Sequence, residues 1–365
     1  PSLTFPNMVS LLTVSTVDQH DITANQLLLS AVRGEGRLGP ISNWDSEVIS
    51  LEKPNNARKL NGYLGDSLIF SDLKRAGKTS TAFAWYFYAG ATAHITPDID
   101  AGLSFTENDW VAIDKQNLES LARFLRDFPS SEWPSLIFVH LVSWDHLAHE
   151  SGTSHGRTLE ALSDLDTSLA PTFRLIQSAR AQFRPIVTLF TSDHGFTDVS
   201  EVFDLQKNLG EDFLVLPQGR VATIKWQNSN STPPSEAQAE QAYIKLFQKN
   251  KIELMAWKFQ KGFKVAFGNL VQYFDFLPAN ANAASGFTLL PDKVQMMRGL
   301  TNWFRAPSST DAIAFAAPKV SFDRKSISEH GGLLPEEMQT LVLLKGASLK
   351  SSGVHPSEIL KFLKQ

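Results

Sequence analysis

No cysteine occurs among the 365 residues. Disulfides, thiolate metal ligands and a cysteine nucleophile are therefore excluded, while the compartment stays open. No run of basic residues exceeds two, and the formal net charge is −4. A nucleic-acid scaffold would carry a basic stripe, and none is present. No apolar run approaches the roughly 20 residues that span a bilayer. No stretch reads as a signal peptide, and no internal repeat is evident. What the chain does have is bulk: 42% of its residues are hydrophobic. That amount suits one large α/β domain, or such a domain with a sizeable insertion.

Several short apolar runs end at polar or turn residues, as buried parallel strands do. Leu136–Val142 is the strongest, followed by Ile186–Phe190, Ala312–Ala316, Leu341–Leu344 and Thr81–Phe87. A helix-like stretch, Asp66–Lys74, precedes the last of these. Between the first two runs, Leu159, Leu162, Leu165, Leu169, Phe173 and Ile176 recur at helical steps, with Pro171 a possible kink. Strand, helix, strand predicts a βαβ unit. The predicted class is α/β: a mostly parallel central sheet flanked by helices, with an α+β insertion. Residues 1–197 and 306–365 form the expected catalytic domain, and 198–305 the insertion or cap. Within the insertion, Gln227–Gln238 reads as a polar loop leading into a helix. Leu254–Phe267 alternates like a hairpin, and the aromatics from Trp257 to Phe276 read as a small core or a substrate-facing cap.

Three segments carry candidate chemistry. Asp145-x-x-x-His149 follows the first strand, and a helical turn there brings carboxylate and imidazole to one point. The pair suits zinc, manganese or iron. Thr191-Ser-Asp193-His194-Gly195 follows the second strand, where an irregular loop lets adjacent ligands straddle metals. Glu329-His330-Gly331-Gly332 adds a third imidazole before the Leu341 strand. In open α/β sheets ligands bind beyond the carboxyl ends of strands, and Asp145 and Asp193 both sit there. The nucleophile candidate is Thr4, whose hydroxyl needs a metal or base to ionise. Asn7, three residues on, offers an amide donor to a phosphoryl oxygen. Thr4 also suits a helix start, where the dipole favours negative charge. His146 and His155 are expected in solvated or supporting roles.

At these residues the chain resembles the alkaline phosphatase superfamily. Within it, the type I phosphodiesterase or nucleotide pyrophosphatase/phosphodiesterase branch is the nearest in pattern. Pro1-Ser2-Leu3-Thr4-Phe5-Pro6-Asn7 looks like the nucleophile motif, continuing as Leu11–Thr13 to His20–Ile22, and Asp145 to Gly152 like the Asp-x-x-x-His-x-x-Gly metal motif. Thr191 to Gly195 and His330-Gly331 complete the set. Leu12 to His20 departs from it, since the family often has Thr-Gly and a proline turn there.

The resemblance implies two divalent ions, most simply zinc, with manganese or iron as alternatives. Asp145, His149 and His330 would hold one. Asp193 and His194, with Thr4, would hold the other, helped by an aspartate at the end of a first strand expected upstream of Pro1. It also implies in-line attack by Thr4 on a small-molecule phosphoester, and export from the cytoplasm. The expected activity is hydrolysis of phosphodiesters or pyrophosphates. A phosphomonoesterase or phosphonate hydrolase on the same scaffold, and an inactive binding protein that kept the fold, stay open as alternatives. Substrate identity and oligomeric state do not follow from the sequence. Asn230-Ser231-Thr232 fits a glycosylation acceptor only weakly, because Pro233 follows.

Overall fold

A computed structural model describes residues 3–29, 47–50, 60–62, 64–84, 86–95, 109–182, 185–226, 236–276, 293–323 and 326–346. Most of the expected polar loop, the Asn230 acceptor and Trp85 lie outside them. The chain divides into two units: Pro1–Asn7, Thr16–Ser50 and Asp193–Gln339 in one; Met8–Ser15, Leu51–Ser192 and Thr340–Gln365 in the other.

The second unit holds a three-stranded parallel sheet. Ser80–Phe83 lies between Ala93–Ile95 and Leu136–Val139, parallel to both. Helix Trp110–Asp127 begins at Asp109, whose carboxylate accepts the Ala112 N–H, as an N-cap should. Its Leu118, Leu121 and Leu125 bury together with Phe83. Helix Gly156–Ala181 runs through Pro171 and adds Leu165, Leu169 and Ile176 to that cluster. Leu159, Leu162 and Phe173, expected on the same buried stripe, are exposed instead. Among the described residues, Thr188–Thr191 pairs antiparallel with Val342–Lys345 and not with Leu136–Val139. The expected Leu341–Leu344 strand is therefore present, but it is not parallel.

The first unit is built on a six-stranded antiparallel sheet. Its order is Leu270–Asp275, Gly262–Phe267, Ile252–Phe259, Ala312–Ala316, Val221–Trp226 and Phe213–Gln218. The expected hairpin pairs Leu254 with Phe267. Ala312–Ala316, expected among the parallel strands, is instead the antiparallel partner of Val221–Trp226 and Ile252–Phe259. All five of its residues are buried, and an all-apolar run of this kind reads alike in either sheet. Helix Glu236–Phe247 lays Tyr243 and Leu246 on one face, against Trp257, Phe213 and Ile252. Each fully buried Ile, Leu or Phe contributes about 1.5–3 kcal/mol. Of the aromatics expected in the insertion, Trp257, Phe263 and Phe274 are buried.

The class is the expected one: α/β, with parallel strands and helices in one unit and an extensive antiparallel sheet in the other.

Candidate metal centre

Helix Thr4–Thr13 starts at the candidate nucleophile. The Leu3 carbonyl accepts the Asn7 N–H at 3.1 Å, so Leu3 is the cap and Thr4 opens the first turn. Pro6 has no N–H to leave unsatisfied there. The Phe5 N–H donates to Asn25 Oδ1 at 3.0 Å, so a side chain from elsewhere in the sequence caps the helix. Asn25 in turn gives its own N–H to Gln218 Oε1 at 2.6 Å.

The Asp193–Gly195 loop meets this helix start. Thr4 Oγ1 lies 3.0 Å from His194 Nε2. The same nitrogen is 3.3 Å from Asp193 Oδ2. Asn7 Nδ2 donates to the Asp193 carbonyl at 2.8 Å, tying loop to helix through the backbone. His194 is buried, its side chain 2% exposed, and its Nδ1 is 3.2 Å from the Gly195 carbonyl.

His330 arrives from a separate loop. Strand Ser328–Glu329 pairs antiparallel with Thr197–Asp198, which aligns the two ligand-bearing segments. The His330 and His194 rings then stack with centroids 3.7 Å apart. Phe196 closes one side, 5.4 Å from the first ring and 5.2 Å from the second.

Gly195 is required by close approach. A Cβ there would sit 1.9 Å from the Glu336 carbonyl oxygen.

The other unit carries the remaining pair. Strand Leu136–Val139 leads into helix Ser143–Ser151, whose first turn holds Asp145. Asp114 anchors that helix start by accepting the N–H groups of Val142 and Ser143, at 2.9 and 2.8 Å. His149 is one turn on, its Nε2 3.9 Å from Asp145 Oδ1. His146 stacks on Trp110 with centroids 3.8 Å apart. Burial, with His149 and His140 nearby, lowers its pKa to about 4. His155 is exposed and caps helix Gly156–Ala181 by accepting the Arg157 N–H.

The sequence-predicted residues of the first unit therefore converge: Thr4, Asn7, Asp193, His194 and His330. Their donors suit a borderline divalent ion, with a hydroxyl, a carboxylate and imidazole nitrogens. Asp193 Oδ2 is buried without a hydrogen-bond partner among the described residues. A buried carboxylate oxygen left in this state is costly unless a cation takes it. The residues fit a metal. Sequence reasoning missed Asn25, Asp114, Arg220 and Glu337, since single polar residues outside motifs carry no pattern.

Comparison with known proteins follows the same line. The family model for type I phosphodiesterase / nucleotide pyrophosphatase matches residues 1–265. Murine ectonucleotide pyrophosphatase/phosphodiesterase 5 superposes at TM-score 0.59 with 17% identity, over 94% of this chain and 76% of its own. An inactive threonine-to-alanine variant of that murine protein, in complex with AMP, gives the same values of 0.59, 17%, 94% and 76%. The human protein 5 gives TM-score 0.58 and 18% identity, with 94% and 76% covered. A search of curated proteins finds no match.

Proposed function

Because the chain belongs to the type I phosphodiesterase / nucleotide pyrophosphatase family, we propose that it hydrolyses phosphodiesters or pyrophosphates with Thr4 as nucleophile and two divalent ions. The observation that carries this reading is the meeting of Thr4 Oγ1, His194 Nε2 and Asp193 Oδ2, with 3.0 and 3.3 Å between neighbours, at a helix start. The murine protein described as inactive carries a threonine-to-alanine change and binds AMP. That supports both a threonine nucleophile and a nucleotide-type ligand here.

The sequence motifs, and not a distance, assign Asp145 and His149 with His330 to one ion. Asp193 and His194 with Thr4 are assigned to the other. Such ions supply charge neutralisation at the transferring phosphoryl group and lower the pKa of an oxygen nucleophile. The chain's own residues do the rest. Thr4 Oγ attacks phosphorus in line, forming a threonyl–phosphorus bond as the bond to the leaving oxygen breaks. Water then cleaves the threonyl ester, returning the Thr4 hydroxyl and releasing a phosphate monoester. The helix's first turn favours the developing negative charge, and Asn7 holds Asp193 in place from the same turn. Among the described residues no helix is long and apolar enough to cross a membrane. Export, with a small-molecule phosphoester as partner, completes the reading.

The test is elemental analysis of purified protein with turnover of bis-p-nitrophenyl phosphate, for wild type and Thr4→Ala. About two zinc-like ions per chain and threonine-dependent diester turnover are expected. Metal with monoester-only turnover would move the activity to a phosphatase. Neither metal nor turnover would leave an inherited fold that only binds.

A further inference from the structure

The sharpest buried charge pair among the described residues lies outside every motif. Arg220 Nη1 donates to Glu337 Oε2 at 2.6 Å, and both side chains are 0% exposed. Arg220 reaches the loop that carries His330, and Glu337 reaches that loop and the one that carries His194. The Arg220 N–H donates to the His330 carbonyl at 2.8 Å. The Glu337 carboxylate accepts the N–H groups of Gly332 at 2.9 Å and Leu334 at 3.1 Å. The Glu337 carbonyl accepts the Gly195 N–H at 2.9 Å.

The pair is in turn fixed to the antiparallel sheet. Arg220 donates from Nη2 to the Ala316 and Ala317 carbonyls at 2.9 and 3.1 Å, and from Nε to Val320 at 3.2 Å. The planar fork is thus held against strand Ala312–Ala316 and the turn after it. A lysine could not reproduce this geometry.

Two features separate this arrangement from ordinary core packing. A buried ion pair is a poor device for stability, since apolar residues of similar volume do as well or better. The Glu337 carboxylate of the pair also grips the turn just after His330, while the main chain of the same two residues bonds His330 itself and the residue next to His194. We propose that Arg220 and Glu337 are positioning residues that set the spacing of the His194 and His330 loops, and so the affinity of the centre for its ion. This rests on the metal-centre reading of those two histidines.

The test compares wild type with Arg220→Met/Glu337→Leu, and with Glu337→Gln as the conservative change. Amide exchange is measured on the metal-free proteins, and zinc affinity by competition with a chromogenic chelator. The apolar double variant is expected to stay folded with faster exchange at 193–195 and 330–334. Zinc affinity should fall by about 10- to 100-fold, the usual effect of losing a group that orients ligands. Glu337→Gln keeps the shape and one acceptor, so its loss should fall between. It also carries the test if the double variant does not fold. Unchanged exchange in both segments of a folded variant would overturn the proposal, and so would wild-type zinc affinity. If wild type itself binds no zinc, the metal reading fails, and the exchange measurement alone still decides whether the pair holds the loops.

Discussion

Gly195→Ala puts the close approach at the ligand loop to a direct test. The new Cβ would sit 1.9 Å from the Glu336 carbonyl oxygen, about 1.5 Å short of the 3.4 Å at which ordinary contact begins. The obstructing atom is backbone, so no side-chain rotation relieves it. Loop and neighbour must separate by roughly that distance, and the 2.9 Å bond from Gly195 N–H to the Glu337 carbonyl breaks. A lost hydrogen bond costs about 1 kcal/mol, and overpacking adds about 1–3 kcal/mol. Together they predict a loss of about 2–4 kcal/mol in urea unfolding. His194 is the adjacent residue, and a misplacement of about 1 Å at a reacting centre costs roughly 100-fold in rate. The assay is kcat/KM on bis-p-nitrophenyl phosphate at a temperature where both proteins are folded. Glu336→Ala serves as control, because it removes side-chain atoms and leaves the obstructing carbonyl; it should retain full activity. Gly195→Ala with wild-type stability and a rate within about threefold of wild type would refute the reasoning.

Removing the Asn25 cap by Asn25→Ala should destabilise the protein by about 1 kcal/mol and lower diester turnover, read by thermal melting and kinetics. Chelation of the metal-loaded enzyme should abolish diester turnover while the circular dichroism spectrum persists, and added zinc should restore it. Leu165→Ala should cost about 1–3 kcal/mol and Leu162→Gln less than about 0.5 kcal/mol, because only the first, partly buried, packs against the core cluster; chemical denaturation separates them. Asp114 gives a pH signature. Burial raises its carboxyl above 3.8, against opposing N–H donors from Ser143 and Val142. The folded state therefore binds this proton more tightly than the unfolded state, and the stability from it is present at low pH and lost as pH rises through the folded value. Unfolding of wild type and Asp114→Asn from pH 4 to 7 should show the deficit of the variant shrinking as pH rises; a constant deficit would count against it.

The family was more legible in the sequence than the topology was. Asp145 and Asp193 stand just after apolar runs, and the structure puts the first in the opening turn of helix Ser143–Ser151 and the second in an irregular loop after strand Thr188–Thr191. The α/β class followed from the same runs. Strand partners did not. Ala312–Ala316 is buried on both faces, so its composition is indifferent to the direction of its neighbours, and only long-range pairing makes it antiparallel. The helix stripe failed for a related reason. On a wheel of 100° per residue, Leu165, Leu169 and Ile176 lie within about 40° of one another, and Leu159, Leu162 and Phe173 fall to one side. Periodicity marks an apolar stripe, but not how much of its width a neighbour covers. Arg220 and Glu337 gave no signal, because an ion pair across long sequence separation exists only once the sheet is folded.

The turn between strands Phe213–Gln218 and Val221–Trp226 has a consequence for rebuilding this molecule. It is a two-residue hairpin, Gly219-Arg220. Gln218 takes the Asn25 N–H, a Cβ on Gly219 would strike Glu329 and His330, and Arg220 holds the His330 carbonyl. Adding a single residue would put all three out of register at once. The turn at Gln260-Lys261 lies between paired strands of the same sheet and none of these contacts involves it. A reporter peptide or grafted loop therefore belongs there, while the length of the Gly219 turn is as much a part of the candidate metal centre as the histidines are.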